Sequence, residues 1–308
     1  MRLFFRMDMR LFLEIGAGGI LLGGLYALIA VGLNLQYGLM RVLNVAHGEF
    51  VMLGAYVTYT LYTSLGVDPL LGLIVQVPLF FLLGWGIYSV VYRGMLEQGG
   101  GPVQLEANSL LLSFGLLFLL ENLALLVWGP TIRGYQYLYH SVSVLGTLFP
   151  ANRLVALGVA LLLTGLLLGF LHRTALGTAL RALMQDPEGA EAVGLPLVRL
   201  HGLSFGLGCA LAGVTGSLVS MLFSLSPIIG MPYTITALVV IILGGLGSVA
   251  GSLVGGLLLG VLESLGAYVV GADLRTALTY ALLVAVLLFR PYGLFQTKPH
   301  SPGQSAGG

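Results

Sequence analysis

The stretch GLYALIAVGLNLQYGLMRVLNVAHGEFVMLGAY, Gly24 to Tyr56, sets Asn44, His47 and Glu49 into a run that is otherwise soluble in lipid. A charged side chain at membrane depth costs roughly 2.5 kcal/mol or more, so these polar groups must face protein or water. Two roles fit that constraint. The three line or gate a path through the membrane, or they form a hydrogen-bonded cluster that holds the N-terminal fold.

Outward from this stretch, composition fixes the class. Of the 308 residues 57 % are hydrophobic and 8 % charged, and the mean hydropathy is +1.00, far from the values of soluble domains. An all-α, polytopic integral membrane protein is expected. A net charge of +1 argues against a nucleic-acid partner. The single cysteine, Cys209, sits in an apolar run and reads as a small core residue. Arg2, Arg6 and Arg10 precede an apolar run of about 25 residues past Glu14, long enough to span the hydrocarbon core. It reads as an uncleaved first span.

Eight hydrophobic elements follow one another: Ile15–Gly38, Phe50–Leu65, Pro69–Tyr92, Ser109–Trp128, Leu154–Leu171, Leu203–Phe223, Thr234–Leu262 and Leu274–Phe289. Phe50–Leu65 is short and Thr234–Leu262 is long, so these two are expected to be broken or re-entrant. A single membrane domain over residues 1–295 and a flexible tail over residues 296–308 are predicted. The positive-inside rule places both the N-terminal arginines and the Arg173–His201 loop in the cytoplasm, yet five elements separate them. The longer charged loop is the stronger signal, which leaves the side of the N-terminus open.

That loop carries six of the chain's 25 charged side chains. Asp186 as N-cap, Pro187 at the first helical position, Glu188 in the first turn and the stop at Gly194 and Pro196 predict a short helix. Another is expected over Thr178–Gln185, bearing Arg181. Helices this short do not stand alone in water, which suggests docking onto a partner, whereas a solvated connector is the plainer alternative.

Gly247, Gly251 and Gly255, four apart in LGGLGSVAGSLVGG, predict a smooth helix face for close packing, extended by Gly256 and Gly260. The alternative is an irregular turn between two half-helices. Alternation through Tyr135, Tyr137, Tyr139, Ser141 and Ser143 predicts a short strand or hairpin between spans. Glu121 and Asn122 lie inside an apolar span and are path candidates, with Glu121 about 10 Å along a helix from Trp128. Glu263, near a segment end, is the weaker candidate.

Chemical motifs are few. Lys298 is the only lysine, so no GxxxxGK[ST] phosphate loop exists, and HExxH, CxxC and GxSxG are absent. No catalytic residue, metal site or cofactor is expected. A secondary transporter would need ion-coupling groups at mid-membrane, and a membrane enzyme would need a nucleophile and base.

Taken in order, the NVAHGE stretch, the block RALMQDPEGAEAVGLPLVRLHGLSFGLGCALAGVTGSL from Arg181 to Leu218, and LGGLGSVAGSLVGG resemble the permease subunit of high-affinity branched-chain amino-acid ABC importers over nearly the whole chain. The resemblance implies a bacterial inner-membrane subunit that pairs with a homologous second permease, binds two cytoplasmic ABC ATPase subunits and receives substrate from an external binding protein. It makes the Arg173–His201 loop the ATPase-coupling element, with Arg181, Asp186, Glu188 and Gly194 on the family pattern. It marks Asn44, His47 and Glu49 as translocation-path candidates, beside Glu121 and Asn122, which only the polarity within their span suggests. Glu121 departs from the pattern, since relatives often carry a neutral Gln there. Leucine, isoleucine and valine are the implied substrates, with urea, amides or other amino acids as the alternatives.

Overall fold

A computed structural model describes residues 9–98, 101–144, 147–271, 274–289 and 293–294; the tail expected over residues 296–308 lies outside them. The described chain is helical apart from one hairpin. In order come α1 (Met9–Met40), α2 (His47–Leu65), α3 (Pro69–Ile87) continued by a π turn (Tyr88–Tyr92) into α4 (Arg93–Glu97), and α5 (Pro102–Trp128). Then follow β1 (Ser141–Val144), β2 (Thr147–Pro150), α6 (Ala151–Arg173), α7 (Ala175–Gln185), α8 (Pro187–Ala192), α9 (Leu197–Ser220), α10 (Gly230–Gly244), α11 (Val249–Val270) and α12 (Arg275–Phe289). Among the described residues six helices are long and apolar enough to cross a membrane. The protein is a multi-pass membrane protein.

Local chemistry marks the ends of these elements. Asp68 accepts hydrogen bonds from the N–H groups of Leu70 (2.8 Å) and Leu71 (3.4 Å) and so caps α3, with Pro69 at the first helical position. Arg41 stops α1 in the left-handed region at φ 54°, its N–H bonded to the Tyr37 carbonyl at 2.8 Å. The tyrosine alternation ends in an antiparallel hairpin, β1 on β2, but Tyr135 and Tyr137 lie before the strands.

Contacts at the two ends of α1 set its direction. Thr147 on the hairpin donates to Glu14 at 3.4 Å. At the other end a side chain on Gly38 would run into the Met184 methyl of α7. The helix therefore starts on the hairpin side and ends on the side of the 173–201 loop. Helices α2, α3, α5 and α6 then alternate in direction, so the start of α1 and the 173–201 loop lie at opposite ends of the helix bundle.

Helix α9 is central, packed against α1, α2 and α3. Small residues permit this. A Cβ on Gly54 of α2 would overlap the backbone of Gly213, and one on Gly216 would strike the Val51 carbonyl. Such backbone proximity maximises dispersion contacts where lipid offers no hydrophobic drive between helices.

The long apolar element Thr234–Leu262 resolves into α10 and α11, separated by a turn in which Gly245 (φ 103°) and Gly247 (φ 82°) occupy backbone regions unfavourable to other residues. This corrects the continuous glycine face. Gly247 lies in the turn, not on a helix. Gly251 faces α10, where a Cβ would strike the Gly244 carbonyl, and Gly255 approaches the Val240 carbonyl in the same way at 3.0 Å. Gly256 and Gly260 face α1 instead, against Ala27, Gly19 and Gly23. Adjacent helix positions are 100° apart, so Gly255 and Gly256 serve different neighbours.

Replacing Gly251 with Leu should force α10 and α11 apart. Overpacking of this kind costs about 1–3 kcal/mol or more. The yield of monodisperse protein and the thermal midpoint should both fall. Gly158→Ala in α6, where a Cβ meets nothing within 4 Å, should change stability by no more than about 1 kcal/mol.

Candidate functional site

Two helices begin inside the protein rather than at a surface. The His47 ring Nε2 lies 3.1 Å from the Ile29 carbonyl, and Ile29 precedes the end of α1 by 11 residues, about 16 Å at 1.5 Å per residue. Helix α2 thus starts near mid-depth. Helix α10 starts against it, since a Cβ on Gly48 would overlap the Gly230 carbonyl. The Gly48 N–H donates to Thr234 Oγ1 at 2.8 Å, and Thr234 donates to the Val45 carbonyl at 2.9 Å. The positive ends of two helix dipoles meet here, and Glu49 occupies the meeting point, its carboxyl filling the space a side chain on Gly230 would need.

Burial at this junction is nearly complete: His47 is 0 % and Glu49 1 % exposed. Among the described residues His47 Nδ1 and Glu49 Oε2 have no hydrogen-bond partner. Glu121 of α5 is half-buried and within electrostatic range of Glu49. Asn122 does not join them. It stands on the exposed face of α5, its amide bonded to the Phe118 carbonyl of its own helix at 2.8 Å. Asn44 is buried elsewhere, donating to Gln36 Oε1 at 3.1 Å and accepting from the Tyr92 hydroxyl at 3.4 Å. Gln36 in turn reaches the Phe205 carbonyl at 3.2 Å. Asn44 therefore ties α1, the π turn and α9 together.

A second polar cluster escaped the sequence reading. Asn34, fully buried in α1, clamps the turn between α10 and α11. Its amide nitrogen reaches the carbonyls of Gly245 (3.1 Å) and Ser248 (2.9 Å) and Ser252 Oγ (2.6 Å), and its oxygen accepts from the Gly247 N–H at 2.5 Å. Ser248 caps α11 by accepting from the Gly251 N–H at 3.0 Å. Gln76, also fully buried, bonds the Gly54 carbonyl at 3.1 Å and accepts from Ser217, linking α3 to α2 and α9. Polarity within a span was the available signal for both.

The charged loop forms α7 and α8. Asp186 Oδ1 accepts from the Gly189 N–H at 3.0 Å and caps α8, which stops at Gly194 with φ 79°. Arg181 Nε donates to the Leu171 carbonyl at 2.8 Å, fixing α7 to the end of α6. Helix α7 begins three residues before the expected Thr178, because Thr174 accepts from the Gly177 N–H at 3.0 Å. Glu188 is exposed. On the opposite side of the membrane Tyr135 pairs with Ser220 at 2.8 Å and Tyr137 donates to Asp68 at 2.7 Å. Burial pushes the Tyr135 phenol up to about 12. Burial and then the adjacent Asp68 raise that of Tyr137.

Residues 16–289 match the family model described as branched-chain amino acid transport system / permease component. The chain is 32 % identical to the high-affinity branched-chain amino acid transport system permease protein BraD of Pseudomonas aeruginosa, covering 90 % of this chain and 93 % of that protein. It is 31 % identical to the permease protein LivH of Salmonella typhimurium, covering 92 % and 95 %. The permease protein LivM of the same organism is 27 % identical over 92 % of this chain and 71 % of its own length. No solved structure matches significantly.

Asn34→Leu should leave the Gly247 N–H without its acceptor, whereas the Gly245 and Ser248 carbonyls keep the N–H groups of Ser248 and Ser252 as donors. At about 1–3 kcal/mol for the one stranded group, the thermal midpoint of the purified protein should fall measurably. Asn122→Leu, on an exposed face, should leave it nearly unchanged. A cysteine at His47 or Glu49, in a Cys209→Ala background, should resist a membrane-impermeant maleimide in the conformation described here.

Proposed function

The chain belongs to the branched-chain amino acid transport system permease family, and on that premise we propose that it is one of two homologous permeases forming the membrane path of an importer. Two separate ABC ATPase subunits bind on the cytoplasmic side, an external binding protein delivers substrate, and leucine, isoleucine and valine cross the bacterial inner membrane. The permease hydrolyses no ATP itself, in keeping with the absence of any phosphate-binding loop.

The junction of α2 and α10 carries the mechanistic part of this reading. Buried polar atoms without partners are costly and call for an explanation. A conformation in which His47, Glu49 and the nearby Glu121 meet water or substrate supplies one, because a membrane path must be open to each side by turns. The coupling element is the loop of Arg181, Asp186, Glu188 and Gly194. Its helix α7 places Met184 against Gly38 at the end of α1, and Gly38 lies against Gly247 in the clamped turn. A shift of α7 thus bears directly on the break between α10 and α11.

Reconstitution in proteoliposomes with the second permease, the ATPases and the binding protein tests the reading. ATP-dependent leucine uptake that vanishes without the ATPases is expected, and uptake of urea or amides in its place would refute the substrate. Ala190→Pro removes the first backbone bond of α8, from the Ala190 N–H to the Asp186 carbonyl at 3.0 Å, at a cost of about 3 kcal/mol. It should abolish uptake, whereas Asp186→Ala, at about 1 kcal/mol, should only reduce it. A cysteine at His47 or Glu49 should gain maleimide reactivity in one nucleotide state of the complex.

A further inference from the structure

A groove of about 330 Å³ lies between α6 and α9, bordered also by Val77 of α3 and Leu176 of α7. Side chains between Leu163 and Phe170 form one wall and those between Leu203 and Val214 the other, and every side chain that lines it is hydrocarbon. Leu166 and Leu176 are exposed, so the groove opens on the surface of the helix bundle. Phe170 stands three residues before the end of α6 and Leu203 six residues after the start of α9, so the groove begins on the side of the 173–201 loop. From Leu203 to Val214 it follows α9 for 11 residues, about 16 Å, against about 15 Å for one leaflet of a hydrocarbon core 30 Å thick.

One turn beyond the loop-side end of the groove stand two arginines. Arg173 follows Phe170 by three residues and Arg199 precedes Leu203 by four, spacings that put each on the face of its helix that lines the groove. Both are exposed, and among the described residues neither has a hydrogen bond or an ion pair. Glu191 borders a neighbouring cavity together with Arg199 but does not pair with it. Arg199 lies in the first turn of α9, where the helix dipole disfavours a cation, and an anion beside it offsets that repulsion.

We propose that this groove binds one anionic phospholipid from the leaflet on the loop side: an acyl chain lies along α6 and α9, and the headgroup phosphate meets Arg173 and Arg199. That leaflet is the cytoplasmic one on the importer reading, on which the assignment of side rests. Width and wall chemistry choose a lipid over a helix of the second permease. The volume, spread over about 16 Å, admits one hydrocarbon chain and is far too narrow for a helix 10–12 Å across. Where helices of this chain pack closely, glycine makes the room, as at Gly54 with Gly213 and at Gly244 with Gly251, whereas the walls of the groove offer only Ala210. Two unpaired guanidinium groups at one end of an apolar groove match a phosphate that carries a hydrocarbon tail. A chain seated there touches Leu176 and so packs against α7.

The test counts lipids on the assembled complex by native mass spectrometry, after titration in detergent with phosphatidylglycerol or with phosphatidylcholine of the same acyl chains as the zwitterionic control. One phosphatidylglycerol should be held about tenfold or more tightly than phosphatidylcholine, the scale of two arginines on an anionic headgroup. The double variant Arg173→Gln, Arg199→Gln should lose that lipid with assembly unchanged in gel filtration. Leu166→Trp, at an exposed position, fills the groove without altering charge and should lose it too. A preference below about twofold in the parent complex, or a tightly held phosphatidylglycerol that survives both sets of substitutions, overturns the site. Loss of the second permease from the Leu166→Trp complex would show a protein occupant and overturn it as well. Retention is read without transport, so absent leucine uptake refutes the importer reading alone and absent retention the lipid site alone.

Discussion

The amide of Asn34 holds the break between α10 and α11, and the arrangement of the membrane domain depends on it. Inside a bilayer each backbone N–H and carbonyl must find a partner within the protein, so a helix can be interrupted at depth only where another group takes over. One primary amide offers a donor and an acceptor on the same planar group. Here it meets the Gly247 N–H on one side and two turn carbonyls on the other. Gly245 and Gly247 supply the backbone angles, and Asn34 stabilises them. A leucine at this position would leave the Gly247 N–H without an acceptor and the turn held only by its own bonds, from the Ser248 N–H to the Gly245 carbonyl and from the Gly251 N–H to Ser248 Oγ.

Close helix contact is the second constraint, and it is directional. Helix α11 presents Gly251 and Gly255 to α10 and Gly256 and Gly260 to α1, so one glycine-rich segment makes two interfaces. Because Gly23 and Gly256 meet nearly backbone to backbone, α1 cannot slide along α11 without side chains colliding. The pair behaves as a rigid unit. By contrast, α2 meets α10 near the starts of both helices, where Gly48 and Glu49 face Gly230 and Thr234, and a contact this local can part without dismantling either helix.

Much of this was legible in the sequence. The spans, the abnormal lengths of Phe50–Leu65 and Thr234–Leu262, and the capped helix at Asp186 follow from hydropathy and local chemistry, which act over one or two turns. Partners distant in sequence could not be read. Asn34 and Gly247 are 213 residues apart, and nothing in VGLNLQYGL distinguishes an amide that clamps a turn from one that faces water. The four-residue glycine spacing was equally compatible with a helix face and a break, and the backbone angles of Gly245 and Gly247 decided for the break. Asn44 and Glu49, five residues apart, were natural companions on paper. A change from loop to helix between them sends Asn44 to Gln36 and Tyr92, and Glu49 to α10. Glu263 was discounted because the apolar segment was taken to end at Leu262, whereas α11 runs on to Val270.

The same rigidity argument bears on how force would cross the membrane domain. Arg181 fixes α7 to the last carbonyls of α6, and Thr174 caps its start, so α7 and the end of α6 must move together. Met184 presses on Gly38, and Gly38 on Gly247. A push on α7 therefore reaches the turn through the Met184 side chain against Gly38 and then the close approach of Gly38 to Gly247. Beyond the turn, α11 is locked to α1, whereas α10 shares smaller contacts with α1, α2, α11 and α12. Displacement should accordingly appear in α10, the helix whose start meets the buried His47–Glu49 junction.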